Sequence, residues 1–187
     1  MGTQQLNIGF IGLGIMGTPM AGHLLKAGHQ VFLHTRGQVP QELTQAGGNA
    51  CASGKEVAQK ADIVIIMVPD TPDVGKVLFA EGGVAEGLSR GKVVVDMSSI
   101  SPVETKEYAA KIEALGGDYI DAPVSGGDVG AKNATLSIMC GGKPEVFERV
   151  QPVLACMGKN ITRVGGTGDG QTCKVANQIV VALTINA

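Results

Sequence analysis

The sequence has no surplus of either charge. Its 187 residues include 15 Lys and Arg against 17 Asp and Glu, which gives a net charge of -2, and the charged residues are spread along the chain. Proteins that bind nucleic acids show a basic patch or stripe, and no such segment is present. We therefore expect no nucleic-acid partner, and a small molecule is the expected ligand.

Long apolar runs are also missing. No segment reaches the length of about 18 apolar residues that a transmembrane helix needs. The opening residues, MGTQQLN, lack the basic and apolar regions of a secretory signal peptide. We therefore expect no membrane partner and a cytoplasmic location.

Paired cysteines are absent as well. Cys51, Cys140, Cys156 and Cys173 lie far apart, with no C-x-x-C pair and no histidine at the spacing of a metal ligand. We therefore expect reduced thiols and no metal site, which agrees with a cytoplasmic protein.

The sequence does contain alternating strand and helix patterns. Runs such as 7–11 and 62–68 are short and apolar, which is typical of strands that are covered on both faces. Residues 118–124 are expected to form one later strand. Strands that alternate with helices predict an α/β fold, a Rossmann-type and mostly parallel sheet with helices on both faces. We expect this domain to occupy residues 1–166, followed by a helix in 167–187.

A glycine motif lies between the first strand and the first helix. Gly12, Gly14 and Gly17 match G-x-G-x-x-G, whose glycines permit a tight turn, the approach of a pyrophosphate and close packing of the helix. The phosphates would sit at a helix N-terminus, where free N–H groups favour anions. The pattern predicts a dinucleotide cofactor that is bound by Gly12, Leu13, Gly14, Ile15, Met16 and Gly17.

The end of the second strand indicates which dinucleotide is bound. An NAD-binding domain normally has Asp or Glu there, which accepts a hydrogen bond from the ribose 2′-OH. Thr35 occupies this position and Arg36 follows it. Because a guanidinium can bind a 2′-phosphate and no carboxylate repels it, we expect NADP in preference to NAD. The alternative is that Arg36 is a solvated surface charge.

A single lysine precedes an apolar stretch near the end of the chain. On a helix, Lys174, Asn177 and Gln178 share one face, and the residues around them are almost all apolar. Because a buried ammonium is costly, we expect this polar stripe to line a cavity. Burial can lower the pKa of a lysine from about 10.4 towards 7 or 8, where it acts as a general acid or base. The alternative is a lysine whose ammonium reaches water from the first helical turn.

Three motifs together resemble those of the β-hydroxyacid dehydrogenase family. They are GFIGLGIMGTPMAGHLLKAGH at the glycine turn, DAPVSGG at residues 121–127 and GDGQTCKVANQ at residues 168–178, in the order that the family has them. The resemblance implies an NAD(P)-dependent enzyme that interconverts a small β-hydroxy acid and its oxo acid. The motifs look most like those of members that reduce 2-hydroxy-3-oxopropanoate (tartronate semialdehyde) to D-glycerate. Sister members with other semialdehyde substrates share them.

The resemblance also implies roles for individual residues. Lys174 would be the catalytic acid and base. Ser98 would contact the cofactor, although a turn or helix-capping role is the alternative. Whether Asn177 or Gln178 orients the substrate stays open, because family members often carry Asn at the position of Gln178. The substrate carboxylate and hydroxyl would be bound by Ser125, Gly126 and Gly127, through a side-chain hydroxyl and backbone N–H groups. Met67, Val68 and Pro69 would border the cofactor.

Members of the family continue past the lysine helix into an all-helical domain, which closes the active site and forms much of a dimer. We expect this chain to stop within the connecting helix, so that cofactor binding survives while catalysis is weakened. The apolar sides of the helix would then lack their cover. We therefore expect a homo-oligomer that associates through residues 175–187.

Two other functions stay open. The chain could be a non-catalytic nucleotide-binding or dimerisation module, which would need neither Lys174 nor the Ser125–Gly127 segment. Imine reduction is the other, and imine-reducing relatives usually lack the lysine.

Overall fold

The computed structural model describes residues 5–185. The strands within this range are β1 (Asn7–Ile11), β2 (Gln30–His34), β3 (Asn49–Ala50), β4 (Ile63–Ile66), β5 (Val93–Asp96), β6 (Asp118–Asp121), β7 (Val124–Ser125), β8 (Leu136–Gly141) and β9 (Gly158–Gly165). The helices are α1 (Gly17–Lys26), α2 (Gln41–Gln45), α3 (Gly54–Lys60), α4 (Thr71–Phe79), α5 (Val84–Gly87), α6 (Pro102–Ala114), α7 (Gly127–Lys132), α8 (Pro144–Leu154) and α9 (Asp169–Ile185).

All the described strands form one sheet in the order β3-β2-β1-β4-β5-β6-β8-β7, with β9 paired to β8. The strands from β3 to β6 pair in parallel. The order 3-2-1-4-5-6 is that of a Rossmann fold. Successive strands are added on one side of β1 as far as β3, and on its other side from β4 to β6, so the order of strands reverses between β1 and β4. The predicted α/β fold with a mostly parallel sheet is therefore confirmed.

Helices cover both faces of this sheet. Along β4, Ile63 and Ile65 pack into one apolar layer with α1 and α8, whereas Val64 and Ile66 pack into a second layer with α3, α4 and α6. Successive side chains of a strand point to opposite faces, so an uninterrupted apolar strand serves both layers. This arrangement leaves only the strand ends and their loops open to a ligand.

The expectation of a single strand over residues 118–124 is wrong. The chain breaks after β6 and resumes as β7, which pairs antiparallel with β8. Pro123 lies in the break and has no N–H to continue a ladder. The short helices α5 and α7 were not predicted from the sequence, because four and six residues are too few to give a clear helical periodicity.

Two helices begin at a serine that caps them. The Ser53 hydroxyl accepts a hydrogen bond from the Glu56 N–H at the start of α3. The Ser101 hydroxyl accepts one from the Val103 N–H at the start of α6, where Pro102 occupies the first helical position. Both follow the usual chemistry of an N-cap, in which a short side chain satisfies an otherwise unpaired N–H.

Helix α9 presents a long apolar surface to solvent. Its exposed apolar side chains, between 38% and 79% accessible, are Val175, Ile179, Val180, Val181, Leu183 and Ile185. The predicted segment for self-association, 175–187, extends beyond the described residues at 186–187. The same applies to residues 1–4 and 186–187 of the predicted domain ranges. None of the helices in residues 5–185 is long and apolar enough to cross a membrane.

A carboxylate lies inside the sheet at the end of β5. Asp96 is fully buried, and it accepts hydrogen bonds from the Ser98 N–H at 3.0 Å and from the Tyr119 hydroxyl at 3.0 Å. Burial raises the pKa of Asp96 from 3.8 to about 6, against the opposing effect of these hydrogen bonds. The protonated form is therefore favoured by folding.

This shift predicts how stability depends on pH. Between pH 3.8 and about 6 the unfolded chain has released the Asp96 proton that the folded chain still holds, so the free energy of unfolding falls as pH rises. The loss is about 3 kcal/mol and is complete above pH 6. In Asp96→Asn this contribution disappears, because the amide is uncharged at every pH. Urea unfolding of both proteins from pH 4 to 7 measures the difference, with the exposed Glu148→Gln as control. Parallel stability profiles for wild type and Asp96→Asn would contradict the prediction.

Candidate active site

A cleft of about 750 Å³ opens between β1 and β4, where the order of strands in the sheet reverses. It lies beyond the carboxyl ends of β1 and β4, the usual ligand position in an open α/β sheet. The lining residues are Ile11, Gly12, Leu13, Gly14, Ile15, Met16, Gly17, His34, Thr35, Arg36, Gly54, Met67, Val68, Pro69, Asp73, Lys76, Val77, Glu81, Gly82, Gly83 and Ser99. The structure thus brings together all the predicted cofactor residues except Ser98.

The glycine turn between β1 and α1 has two positions where no side chain fits. Gly12 has a φ of +100°, and a Cβ there would lie 2.1 Å from the Met67 carbonyl oxygen. A Cβ on Gly17 would lie 1.9 Å from the Gly12 carbonyl oxygen. These two glycines allow β1, the loop after β4 and α1 to meet closely.

The middle glycine has no such steric role in the fold. A Cβ on Gly14 would have no heavy atom within 4 Å. Gly14 faces the cleft next to the first turn of α1, where unpaired N–H groups and the helix dipole favour a phosphate. Nearby, the Ile15 side chain is 77% exposed and offers an apolar surface to a ligand. The turn therefore fits the pyrophosphate of a dinucleotide.

Arg36 lies at the mouth of the cleft. Its guanidinium is 83% exposed and forms an ion pair of 3.6 Å with the carboxylate of Asp73, which is 18% exposed. Lys76 lines the same part of the cleft, and Thr35 is half-buried beside it. Arg36, Lys76 and Thr35 supply two cations and a hydroxyl that suit a phosphate ester. The Asp73 carboxylate in the same wall pairs with the guanidinium and would repel a phosphate, so the expected absence of a repelling carboxylate holds only for the end of β2.

Ser98 is fully buried beneath the cleft, and Ser99 is the residue that lines it. The Ser98 hydroxyl accepts a hydrogen bond from the Val68 N–H at 3.0 Å. Ser98 therefore supports the loop of Met67, Val68 and Pro69 from below. This contact agrees with the turn role considered from the sequence, and a direct cofactor contact of Ser98 stays a prediction.

The first turn of α9 is fixed by a carboxylate from another element. Asp121, at the end of β6, accepts hydrogen bonds from the Gly168 N–H at 2.8 Å and from the Gln171 N–H at 2.9 Å. Burial raises the pKa of Asp121, while these two bonds act in the opposite direction. Close packing of the helix requires glycine, because a Cβ on Gly141 would lie 2.6 Å from the Asp121 carboxylate.

The Gln171 side chain joins α9 to the loop after β5. Its amide nitrogen Nε2 donates to the Ser98 carbonyl at 2.7 Å, and its oxygen Oε1 accepts from the Ile100 N–H at 3.1 Å. The residue is 1% exposed. Ser99, between the two bonded residues, lines the cleft, so α9 begins directly behind the cleft wall.

Lys174 follows one helical turn later and is half-buried. Burial lowers the pKa of its ammonium below the usual value. Within residues 5–185 the ammonium has no hydrogen-bond or ion-pair partner, whereas Asn177 donates to Gln178 at 3.4 Å. None of these three residues is part of the wall of the 750 Å³ cleft.

The predicted substrate-binding segment lies at the start of α7. Ser125 is half-buried and pairs with Ser137 in the sheet, while Gly126 and Gly127 are exposed with φ values of +134° and +60°. The two glycines are needed because L side chains rarely adopt these backbone angles. The segment is outside the cleft wall.

Several residues of the site were not identified from the sequence. Asp121 and Gln171 stand within two of the motifs but were assigned no role, and their bonds join positions 47 to 73 residues apart. Asp73 and Lys76 are ordinary charges of a helix pattern, and only the fold shows that they face the cleft. Within the described residues, no three His, Cys, Asp or Glu side chains are grouped as metal ligands would be.

A family model described as the NAD binding domain of 6-phosphogluconate dehydrogenase matches residues 7–166. The 2-hydroxy-3-oxopropionate reductase of Escherichia coli (strain K12) is 58% identical to the chain over 182 residues. These residues are 97% of this chain and 62% of the reductase.

Solved structures share the same fold. The Mycobacterium tuberculosis 3-hydroxyisobutyrate dehydrogenase, solved with L-serine, has a TM-score of 0.88 at 36% identity and matches over 96% of this chain and 61% of its own. The imine reductase from Myxococcus stipitatus in complex with NADP+ also has a TM-score of 0.88, over 96% of this chain and 62% of its own, and its 23% identity shows a common fold alone. The chain thus spans about three fifths of the length of these proteins.

The glycine turn makes a matched test possible. Gly14→Ala places a methyl group where the pyrophosphate would approach, in space that the fold leaves empty. We expect its melting temperature to change by less than about 2 °C and its affinity for NADPH to fall about tenfold or more. Calorimetric titration and thermal unfolding give both values.

Gly12→Ala is the matched comparison in the same turn. It should lower the melting temperature by several degrees, because it combines a positive φ with a clash against Met67. A Gly14→Ala protein that binds NADPH as tightly as wild type would show that the dinucleotide does not lie on this turn.

Proposed function

We propose that this chain is the nucleotide-binding part of a reductase, because it belongs to the family described as the NAD binding domain of 6-phosphogluconate dehydrogenase. This membership and the identity to the E. coli reductase confirm the resemblance to the β-hydroxyacid dehydrogenases. The proposed reaction is the NAD(P)-dependent reduction of 2-hydroxy-3-oxopropanoate to D-glycerate. The observation that carries it is Lys174, an ammonium with a lowered pKa and no partner within the described residues. The helix that bears it begins behind the wall of the 750 Å³ cleft, which we call the nucleotide cleft.

The nucleotide cleft fits a dinucleotide. The N–H groups at the start of α1 would hold the pyrophosphate over Gly14, and the loop from Met67 to Pro69 would border the remainder of the cofactor. When bound, the nicotinamide supplies a hydride to the carbonyl carbon of the substrate. The residues that make the cleft fit a dinucleotide are those of the glycine turn and the two cations near Thr35, namely Arg36 and Lys76.

Lys174 is the proposed general acid. As the carbonyl carbon gains the hydride, the oxygen gains negative charge, and the Lys174 ammonium donates a proton to it. In the reverse direction the neutral amine removes the proton of the alcohol. A pKa lowered by burial brings the two forms closer in population at neutral pH, which suits a group that acts in both directions.

The proposed substrate site lies around the N-terminus of α7. The Ser125 hydroxyl and the N–H groups of Gly126 and Gly127 would bind the carboxylate, and Asn177 or Gln178 would orient the hydroxyl group. The 58% identity to the E. coli reductase supports 2-hydroxy-3-oxopropanoate. A 3-hydroxyisobutyrate dehydrogenase or another semialdehyde reductase is the second candidate, which the 36% identity to the M. tuberculosis enzyme favours.

We propose NADP as the preferred cofactor and NAD as the alternative. The support is Arg36, whose guanidinium could leave Asp73 and bind a 2′-phosphate with two hydrogen bonds. A non-catalytic nucleotide-binding module is the alternative function, and it would make no use of Lys174. The cytoplasmic location, the homo-oligomer, and the division into residues 1–166 and 167–187 stay predictions. The exposed apolar side of α9 would be the surface for self-association.

Lys174→Ala tests the reaction. We expect turnover with 2-hydroxy-3-oxopropanoate to fall about a hundredfold or more, because a general acid contributes at least that factor, while the affinity for NADPH stays within about twofold. Because the chain spans 62% of the E. coli reductase, turnover is measured on the chain itself and on a chimera that continues into the remainder of that reductase.

Methylmalonate semialdehyde and succinate semialdehyde serve as competing substrates in the same assay, and the exposed Lys132→Ala serves as the control variant. Near-normal turnover by Lys174→Ala would refute its role as the acid. A faster reaction with one of the other semialdehydes would transfer the assignment to that substrate.

Arg36→Ala tests the cofactor preference. We expect the affinity for NADPH to fall about tenfold or more, because a charge-assisted pair with the phosphate is lost. The affinity for NADH should change by less than about twofold. Fluorescence titration with each nucleotide gives the four dissociation constants, and Arg90→Ala, an exposed arginine outside the cleft, is the control. Equal or tighter binding of NADH by the wild-type chain would remove the argument for NADP.

A further inference from the structure

Gln171 makes three hydrogen bonds to two separate parts of the fold. Its backbone N–H is bound by Asp121, and its side-chain amide is bound by the Ser98 carbonyl and the Ile100 N–H. With 1% of its surface exposed, it replaces water for both backbone groups. An amide that donates and accepts at once is required there, since the loop presents one acceptor and one donor.

The loop that Gln171 binds belongs to the nucleotide cleft. Ser99 lines the cleft, and the Ser98 hydroxyl holds the Val68 N–H, which belongs to the cleft wall. The position of Gln171 is thereby tied to two segments of that wall. The first turn of α9 is therefore held in a fixed position relative to the cleft wall.

Gln171 and Lys174 lie on the same side of α9. Residues three apart on a helix are separated by about 60° around its axis, so they point in similar directions. Asp121 fixes the backbone of the first turn, and the side-chain amide of Gln171 fixes its rotation. A change in either contact would turn the helix and move the Lys174 ammonium relative to the cleft.

We propose that Gln171 is a positioning residue, which fixes the rotation of α9 so that the Lys174 ammonium is aimed at the substrate carbonyl beside the cleft. The proposal rests on the proposed role of Lys174 as the general acid. A 1 Å displacement of such a group can reduce a rate about a hundredfold. The Gln171 amide therefore acts on the reaction through Lys174, without touching the substrate.

A simpler role would be the satisfaction of two buried backbone groups. Loss of the amide would then lower the free energy of unfolding by about 1–3 kcal/mol per unpaired group, and Lys174 would keep its environment. The two roles differ in the expected ionisation of Lys174, because under the positioning role a rotation of α9 would change the partial burial that lowers its pKa.

The test is a titration of Lys174 in the 187-residue chain. Lysines carrying ¹³C-dimethyl groups are followed by NMR, with the Lys174 signal assigned from Lys174→Arg. In Gln171→Met, whose side chain has similar length but no amide, we expect the pKa of Lys174 to rise by about 0.5 pH unit or more, a threefold change in the ratio of amine to ammonium. Thr172→Val is the matched control, because its hydroxyl donates to the carbonyl of Gly168, immediately before α9, and not to the loop after β5. It should leave the pKa unchanged.

An unchanged Lys174 pKa in a folded but less stable Gln171→Met protein would overturn the proposal. If Gln171→Met does not fold, hydrogen exchange of the wild-type chain decides. The N–H groups of Ile100 and Gln171 should exchange through one common opening, with equal protection within about threefold. Protection that differs more than about tenfold would show that α9 and the loop open independently, which also overturns the proposal.

Turnover of the chimera separates this proposal from the assignment of the reaction. Gln171→Met should lower kcat about tenfold or more while KM for the substrate and the affinity for NADPH change less than about twofold. If Lys174→Ala retains turnover, the reductase mechanism fails whatever Gln171 does. If Lys174→Ala is inactive and Gln171→Met has normal kcat, only the positioning role fails.

Discussion

One buried carboxylate, that of Asp121, determines where the helix with the candidate catalytic residue can lie. It lies at the end of β6, the last strand of the parallel series from β3 to β6, and it accepts hydrogen bonds from the N–H groups of Gly168 and Gln171 at the start of α9. The positive end of the helix dipole at the N-terminus of α9 stabilises the negative charge of this carboxylate. Because Gly141 and Gly170 have no side chains, α9 can lie close to the ends of β6 and β8. The end of a sheet strand therefore determines directly where the first turn of α9 lies, although most of this helix is exposed.

The sequence was sufficient for the features that arise from neighbouring residues. The turn of Gly12, Gly14 and Gly17 and the apolar strands β1 and β4 depend on short-range patterns, and the structure agrees with both. The contacts of Asp121 and Gln171 could not be predicted in this way, because their partners are brought together only by the order of strands in the sheet. Pro123 shows the reverse case, in which a residue visible in the sequence interrupted a run that looked like one strand.

The same difference explains how the charges were interpreted. Arg36 could be identified from the sequence, because it directly follows the end of the second strand, where NAD-binding domains usually have Asp or Glu. Asp73 is 37 positions later in the sequence, and its ion pair with Arg36 exists because α4 packs beside the cleft. For Lys174, the sequence predicted a helix with one polar stripe, whereas the structure shows a half-buried ammonium on a helix whose apolar sides are largely exposed.

The hydroxyl of Ser98 and the amide of Gln171 connect the cleft side of the sheet to α9. Ser98 binds the loop after β4, and Gln171 binds the loop after β5. The nucleotide cleft uses the ends of β1, β2 and β4, while the proposed substrate residues follow β6 and β9. If the proposed substrate site is correct, substitutions around Ser125 or Gln178 would change which acid is accepted without altering the nucleotide half. A single scaffold of this kind can diversify its substrates while its redox partner stays the same.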